Sequence, residues 1–152
     1  MEIRKLDVSD EAAYRAYQTA LENDDNPFIT TREIGDFKTF VENSRAQETQ
    51  TTNPDYSTMT TYYAFLNGKI AALISCRWQL EKGNLATIGG HIGYQTSPEF
   101  RRQGIMTRLL SFALEHMPNV ASILCLSQRV RTILPVVEPL KKLAVFWKIL
   151  SI

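Results

Sequence analysis

Asn67-Gly68 stands between two apolar runs, Thr61-Tyr62-Tyr63-Ala64-Phe65-Leu66 and Lys69 to Trp78. An Asn-Gly pair adopts the two left-handed conformations of a tight type I′ turn without strain, so flanking strands must fold back as an antiparallel hairpin. That commits the chain to a sheet. Helices are expected beside that sheet.

The sequence provides them. Ser9 reads as a helix cap, with Asp10 and Glu11 in the first turn, where carboxylates suit the helix dipole. Ala12, Ala13, Tyr17, Ala20 and Leu21 then form a helical stripe out to about Asn23. A second helix is predicted from Gly35 to Ala46, carrying Phe37, Phe40 and Val41, and a third from Met106 to Met117, with Leu109, Leu110, Ala113 and Leu114 on its apolar side. Met1 to Asp7 reads as a short first strand, and a strand from Leu85 through His91-Ile92-Gly93-Tyr94-Gln95-Thr96 is interrupted by a bulge at Gly89-Gly90. Ala121 to Leu126 is a short buried strand. The polar stretch Gln47 to Thr60 is long enough for a loop to suggest function or mobility. The order β-α-α-β-β-β-α-β gives an α/β (α+β) domain with a mixed, mainly antiparallel sheet flanked by helices. At 152 residues the chain is expected to form a single domain, 1–152.

A formal net charge of +1 gives no electrostatic footprint for nucleic acid. The start lacks the apolar core of a signal peptide and no run has the length of a membrane span, so a cytoplasmic protein without a membrane partner is expected. The two cysteines, Cys76 and Cys125, sit in apolar runs and read as buried thiols. No metal is expected. A nucleotide-binding protein is a weak third alternative, because Gly68-Lys69 lacks the upstream glycine spacing of a P-loop and Gly89-Gly90 with Gly93 does not form a dinucleotide fingerprint.

Chemistry concentrates in Ser97-Pro98-Glu99-Phe100-Arg101-Arg102-Gln103-Gly104-Ile105, between a strand and a helix. A helix start leaves backbone N–H groups unpaired and its dipole favours an anion. Gly104 permits a tight turn, Arg101 and Arg102 add positive charge, and Thr107 places a hydroxyl in the first helical turn. The pattern describes a phosphate cradle; an ordinary strand-to-helix turn with surface arginines is the plainer alternative.

Gly90-His91-Ile92-Gly93-Tyr94, Ser97-Pro98-Glu99 and Arg101-Arg102-Gln103-Gly104, followed by an amphipathic helix, resemble the GNAT acetyltransferase superfamily, whose cofactor motif is R/Q-x-x-G-x-G/A. The likeness is nearest to predicted bacterial acetyltransferases with a GHIGY-type strand, and it runs from about Tyr62 to Met117. Met106 departs from the motif, standing where Gly or Ala is asked for and placing a bulky side chain near the phosphates. The resemblance implies a GNAT-like fold and direct transfer of acetyl from acetyl-CoA to an amine of a small molecule or peptide. It gives Tyr94, Gln95 and Thr96 to the pantetheine arm, and Arg101, Arg102, Gln103, Gly104, Ile105, Met106 and Thr107 to the pyrophosphate of coenzyme A. An acyl-CoA-binding domain with weak or no catalysis is the alternative.

An ammonium is not a nucleophile, so transfer needs a base or a water chain, and an acid for the leaving thiolate. His91 is the base by residue type, because its free pKa lies near neutral; a satisfied, partly buried histidine is the other reading. Strand alternation sets His91, Gly93 and Gln95 on one side and Ile92, Tyr94 and Thr96 on the other. Tyr94 is the second catalytic candidate, or else a core aromatic. His116 reads as exposed. Asp24, Asp25, Glu81 and the 47–60 loop could shape an acceptor pocket or simply be solvated surface.

Residues 1–126 form the family-like core and 127–152 an atypical tail. Pro135 and Pro139 break the helix the resemblance asks for. If the codons for Arg131 to Ile149 are read one nucleotide earlier, every position is compatible with NNFASRRTIEKVGGFLEN, which resembles the missing family segment. Two of its residues are forced: Phe146 into Trp147 gives only Leu, and Trp147 into Lys148 only Glu. The expectation is a frameshifted end, with the junction between Cys125 and Arg131; a naturally divergent tail is the alternative. An exposed apolar tail would also favour a homodimer.

Overall fold

The computed structural model describes residues 1–26, 29, 31, 33–79, 81–85 and 92–116. The expected strand at Ala121 to Leu126, the Gly89-Gly90 bulge, His91, Cys125 and the whole tail lie outside them.

Four strands form an antiparallel sheet in the order β1-β2-β3-β4: Glu2–Arg4, Met59–Leu66, Lys69–Arg77 and Ile92–Thr96. The described α-helices are α1 (Glu11–Glu22), α2 (Phe37–Ala46) and α3 (Ile105–His116). The hairpin turns at Asn67 and Gly68, with φ of 52° and 77°. Leu66 faces Lys69 across it, and a bulge at Ala64/Phe65 shifts the register further in.

Both faces of the hairpin are covered. On one face Ala64, Ala72, Ile74 and Cys76 pack against Ile105, Leu109 and Ala113 of α3. On the other, Tyr63, Phe65 and Ile70 meet Tyr14, Tyr17 and Leu21 of α1 and Phe37 and Val41 of α2. Tyr14 is the centre of an aromatic cluster, with ring centroids 5.5 Å from Phe37, 5.1 Å from Phe40 and 6.1 Å from Tyr63. Cys76 is a fully buried free thiol, and burial pushes its pKa up to about 11, so it acts as a small core hydrophobe.

Several boundaries differ from the sequence expectation. The first strand is only Glu2–Arg4 because the chain then turns into a 3₁₀ segment, Val8–Asp10. Its cap is Asp7, not Ser9. The Asp7 carboxylate accepts both the Ser9 N–H and hydroxyl, at 3.1 and 3.0 Å. Asp10 returns a carboxylate to the Asp7 N–H at 2.8 Å and holds Arg4 through Nη2 at 2.8 Å. Likewise α2 begins at Phe37 rather than Gly35, because Asp36 accepts the Thr39 N–H at 2.8 Å. The 47–60 stretch is tied to the sheet instead of hanging free. Ser57 Oγ accepts the N–H groups of Trp78 and Gln79 at 3.0 and 2.9 Å, while Gln79 Oε1 accepts the Thr58 N–H at 2.8 Å.

Candidate functional site

Strand β4 delivers the chain into the loop that the sequence singled out. Ser97 is buried, and its N–H extends the ladder to the Ala71 carbonyl at 2.9 Å. Pro98 opens a single 3₁₀ turn, Pro98–Phe100, closed by the Phe100 N–H on Ser97 O at 3.0 Å. Two left-handed residues follow, Arg102 at φ 59° and Gly104 at φ 72°. A non-glycine residue there stores roughly 1–3 kcal/mol of strain, which the surrounding structure has to hold. Helix α3 starts directly after, its ladder opening with the Arg108 N–H on the Gly104 carbonyl at 3.2 Å. The N–H groups of Ile105, Met106 and Thr107 precede that ladder and have no helical acceptor. A Cβ placed on Gly104 would meet nothing within 4 Å, so the loop presents open space on that side. Exposed amides, a helix N-terminus and a bare glycine are what an anion needs for close approach.

Arg101 does something other than offer its charge to that space. Its guanidinium is engaged by both carboxylate oxygens of Asp24, just beyond α1, with Nη1 3.3 Å from Oδ1 and Nη2 in contact with Oδ2. The Asp24 side chain is only 7% exposed, and the arginine holds its pKa below the usual carboxylate range, helped by the Asn26 N–H. The pair pins the end of α1 to the start of the loop. Gln103 adds a local tie, donating from Nε2 to the Glu99 carbonyl at 2.9 Å. Met106 is half-buried and packs against the core between α3 and the sheet.

Beside the loop lies a cavity of about 740 Å³ on the α1/α2 face of the sheet. Thr61, Tyr63, Leu73, Ser75, Gly93 and Gln95 form its floor, and Tyr14 and Gln18 of α1 with Phe40 and Asn43 of α2 form its walls. Thr61 and Ser75 face each other across the hairpin, their hydroxyl oxygens 3.1 Å apart. Gln95 Nε2 is buried with no hydrogen-bond partner among the described residues. Tyr94, Thr96 and Arg101 border the cavity on the loop side. Cavity and cradle are therefore contiguous, joined along β4.

Residues 20–130 match the Acetyltransferase (GNAT) family. The chain belongs to the GNAT acetyltransferase family. Acyl-CoA-dependent N-acetyl transfer is the general chemistry of that family. Among solved structures, an acetyltransferase of GNAT family from Streptococcus pneumoniae is 20% identical, covering 75% of this chain and 65% of its own, with a TM-score of 0.43. Glucosamine-6-phosphate N-acetyltransferase from Arabidopsis thaliana is 22% identical, covering 76% of this chain and 72% of its own, with a TM-score of 0.47. None of the curated proteins matches the chain.

In this GNAT domain the residues named from sequence are brought together unevenly. Tyr94, Gln95 and Thr96 lie on β4, contiguous with the 101–107 loop. Pairing of Cys76 with Ile92, Ile74 with Tyr94 and Ala72 with Thr96 bears out the alternation across 92–96. Tyr94 is 49% exposed, which overturns the core-aromatic reading. His91 lies outside the described residues. His116 is exposed at the end of α3, stacked on Phe112 with centroids 4.0 Å apart and remote in sequence from the cavity lining. Of the suggested acceptor residues, Gln47 and Met59 line the cavity, Asp24 is committed to Arg101, and neither Asp25 nor Glu81 takes part. The sequence reading missed Tyr14, Gln18, Thr61, Ser75 and Arg77. Period-two alternation in β2 and β3 would have placed Thr61 and Tyr63 on one face with Leu73, Ser75 and Arg77.

Proposed function

We propose that this chain transfers an acetyl group from acetyl-CoA directly to an amine of a small molecule or peptide seated in the 740 Å³ cavity. The observation that carries the proposal is the strand–loop–helix unit: left-handed Arg102 and Gly104, then the open amides of α3, ending against the cavity's rim. The backbone amides of Arg102, Gln103, Gly104, Ile105, Met106 and Thr107 would hold the pyrophosphate, with Arg101 acting through its Asp24 pair to fix where the loop starts. The edge formed by Tyr94, Gln95 and Thr96 would hold the pantetheine arm and aim it at the cavity. When bound, acetyl-CoA supplies an acetyl group activated as a thioester. The chain's own task is then to orient the amine and remove its proton. His91 is the proposed base by type, and the Thr61–Ser75 hydroxyl pair on the floor can order a water that carries the proton out. Tyr94, half-exposed at the rim, is the proposed proton donor to the departing thiolate.

A second reading, an acyl-CoA-binding domain with weak or no catalysis, is favoured by one observation. Among the described cavity-lining residues there is no carboxylate, histidine, cysteine or lysine. Calorimetry with acetyl-CoA, CoA and ATP tests the cradle, and thiol release over an amine panel tests turnover. Saturable binding of CoA with acetylated product supports transfer, binding without product supports the second reading, and binding of ATP alone contradicts both.

The tail belongs to the same proposal. The family match stops at residue 130, at the edge of the 125–131 interval in which the frame is inferred to shift. Sequencing the gene decides it: an encoding DNA whose shifted frame lacks the NNFASRRTIEKVGGFLEN string removes the idea. A cytoplasmic homodimer completes the proposal. No helix among the described residues is long and apolar enough to cross a membrane.

A further inference from the structure

We infer that the acceptor is an α-amino amide, the grouping found at the N-terminus of a peptide, and that the side chain of Gln95 recognises it by pairing amide to amide. The inference rests on the cavity being the acceptor site and names the chemistry beside the reacting amine.

Gln95 Nε2 is the one buried side-chain nitrogen or oxygen left without a hydrogen-bond partner among the described residues. The Tyr17 hydroxyl, 3.5 Å away, bonds the backbone carbonyl of Gln95 rather than its carboxamide. A buried donor left unpaired destabilises the folded chain, and native proteins keep few of them. The place of Gln95 in the sheet says what supplies the partner. It faces Leu73 of β3, which faces Tyr63 of β2, and this row forms part of the cavity floor. Strand side chains stand roughly perpendicular to their sheet. The pantetheine arm is proposed to run along the β4 edge, in the plane of the sheet, so the Gln95 carboxamide belongs to the acceptor's space. Nε2 is shielded from water. The last torsion of a glutamine side chain is soft, however, so the group turns toward a molecule in the cavity with little strain.

The chemistry of the group selects its ligand. A carboxamide holds N–H donors beside an acceptor oxygen. A carboxylate would use only the donors and an ammonium only the oxygen, whereas another amide uses both. The rest of the lining agrees. It has no Asp or Glu among the described residues, so the second ammonium of a polyamine would meet no counter-charge, while Asn43, Thr61 and Ser75 offer neutral hydrogen bonds to further amide groups. Position sets the spacing. The amine has to come within about 3–3.5 Å of the thioester carbon presented at the Tyr94–Thr96 edge. Gln95 is the middle residue of that edge, and a hydrogen bond to its carboxamide spans about 3 Å. Amine and amide must therefore lie only a bond or two apart, as in an α-amine and not in a lysine side chain.

The test compares alaninamide with the isostere in which an isopropyl group replaces the carboxamide, alongside trialanine amide, Nα-acetyl-lysinamide and spermidine. Binding is measured by calorimetry on the full chain with CoA present, and thiol release with acetyl-CoA. At least one α-amino amide should bind about tenfold or more tighter than the isostere, because a site built to hydrogen-bond rejects an analogue that leaves its polar group unpaired. Spermidine should bind weakest, and the tighter of the two alanine amides says whether the source is a single amino-acid amide or a peptide. Amine basicity differs within the pair but not between protein variants, so the deciding quantity is how the ratio changes. Gln95→Met should bring it below about threefold, and Gln95→Asn, which keeps the carboxamide, should hold part of it. The Tm of Gln95→Met should equal or exceed that of the parent, since an unpaired buried amide is gone. Nα-acetyl-lysinamide should respond less to either substitution. No preference for the α-amino amides, or one that survives Gln95→Met, overturns the inference. A lost preference accompanied by a lower Tm marks a structural residue, and a fall in CoA affinity as large as the fall in the ratio assigns the side chain to the cofactor; each overturns it as well. Absence of CoA binding in the parent protein instead defeats the acetyltransferase proposal, and the amide preference is still read from the same titrations without CoA.

Discussion

Two glycines give an internally controlled test of the phosphate cradle. Gly68 and Gly104 both sit in the left-handed region, at φ 77° and 72°, and a Cβ at either would meet nothing within 4 Å. An alanine at each should therefore cost the folded protein the same thing, the left-handed backbone of an L-residue, worth about 1–2 kcal/mol. Part of that is offset because alanine also restricts the unfolded chain, leaving a net loss near 1 kcal/mol and a fall of roughly 2–4 °C in Tm. Their ligand effects should differ completely. At Gly104 the new methyl enters the space through which a phosphate oxygen would reach the amides of α3. Losing even one charge-assisted hydrogen bond costs about 1.5–3 kcal/mol, or roughly 10- to 100-fold in affinity. At Gly68, in the β2–β3 hairpin, there is no ligand to exclude. Calorimetry with CoA on both variants, with thermal melts as the stability control, should show equal destabilisation and a large affinity loss only for Gly104→Ala. If the two variants bind CoA equally well, the cradle is misplaced.

Other consequences of the structure are as direct. Because Arg101 depresses the Asp24 pKa, that carboxylate contributes stability above its unfolded pKa of about 3.8 and loses it as pH falls through the lower folded value. Asp24→Asn should thus lower the melting temperature at neutral pH and weaken CoA binding through the loop, with the stability difference shrinking below pH 4 in a pH series of melts. Met106→Ala should leave CoA affinity within about twofold and lower stability, because the side chain packs against the core between α3 and the sheet; a marked gain in affinity would place its bulk beside the phosphates. Leu109→Ala, at a fully buried position between α3 and the sheet, should cost about 2–5 kcal/mol in urea unfolding. The hydroxyl pair on the cavity floor gives one more. Thr61→Val with Ser75→Ala should lower kcat while leaving CoA binding intact, if that pair orders the proton-carrying water; unchanged kcat would contradict it.

What was legible in the sequence was whatever a few neighbouring residues decide. Asn67-Gly68 specifies its turn through its own backbone preferences, and the four-residue spacing of Leu109 and Ala113, with Leu114 beside them, specifies the buried face of α3. The 97–104 loop was readable because proline, glycine and arginine punctuate it between two periodic segments. Local competition defeated the cap assignment: Ser9 and Asp7 are both cap formers, and the carboxylate accepts from the serine as well as from its backbone. Contacts between distant segments were not readable at all. Arg101 and Asp24 are separated by 77 positions, so nothing local shows that the arginine is engaged. The cavity likewise exists only once α1, α2 and three strands are assembled, and its lining residues look like ordinary strand and helix residues one at a time. Tyr94 shows the same limit. Its place in an apolar strand suggested the core, but among the described strands β4 pairs on one side only, which leaves the ring half in solvent.

The central claim is that the backbone of residues 102–107 holds the pyrophosphate of coenzyme A, and amide resonances report on that backbone directly. Titrating ¹⁵N-labelled protein with CoA should shift the amides of Arg102, Gly104, Ile105, Met106 and Thr107 saturably and most strongly, with smaller changes along Tyr94–Thr96. ATP should not reproduce the pattern. Saturable binding that leaves the 102–107 amides unmoved, or no binding of CoA, would contradict the account.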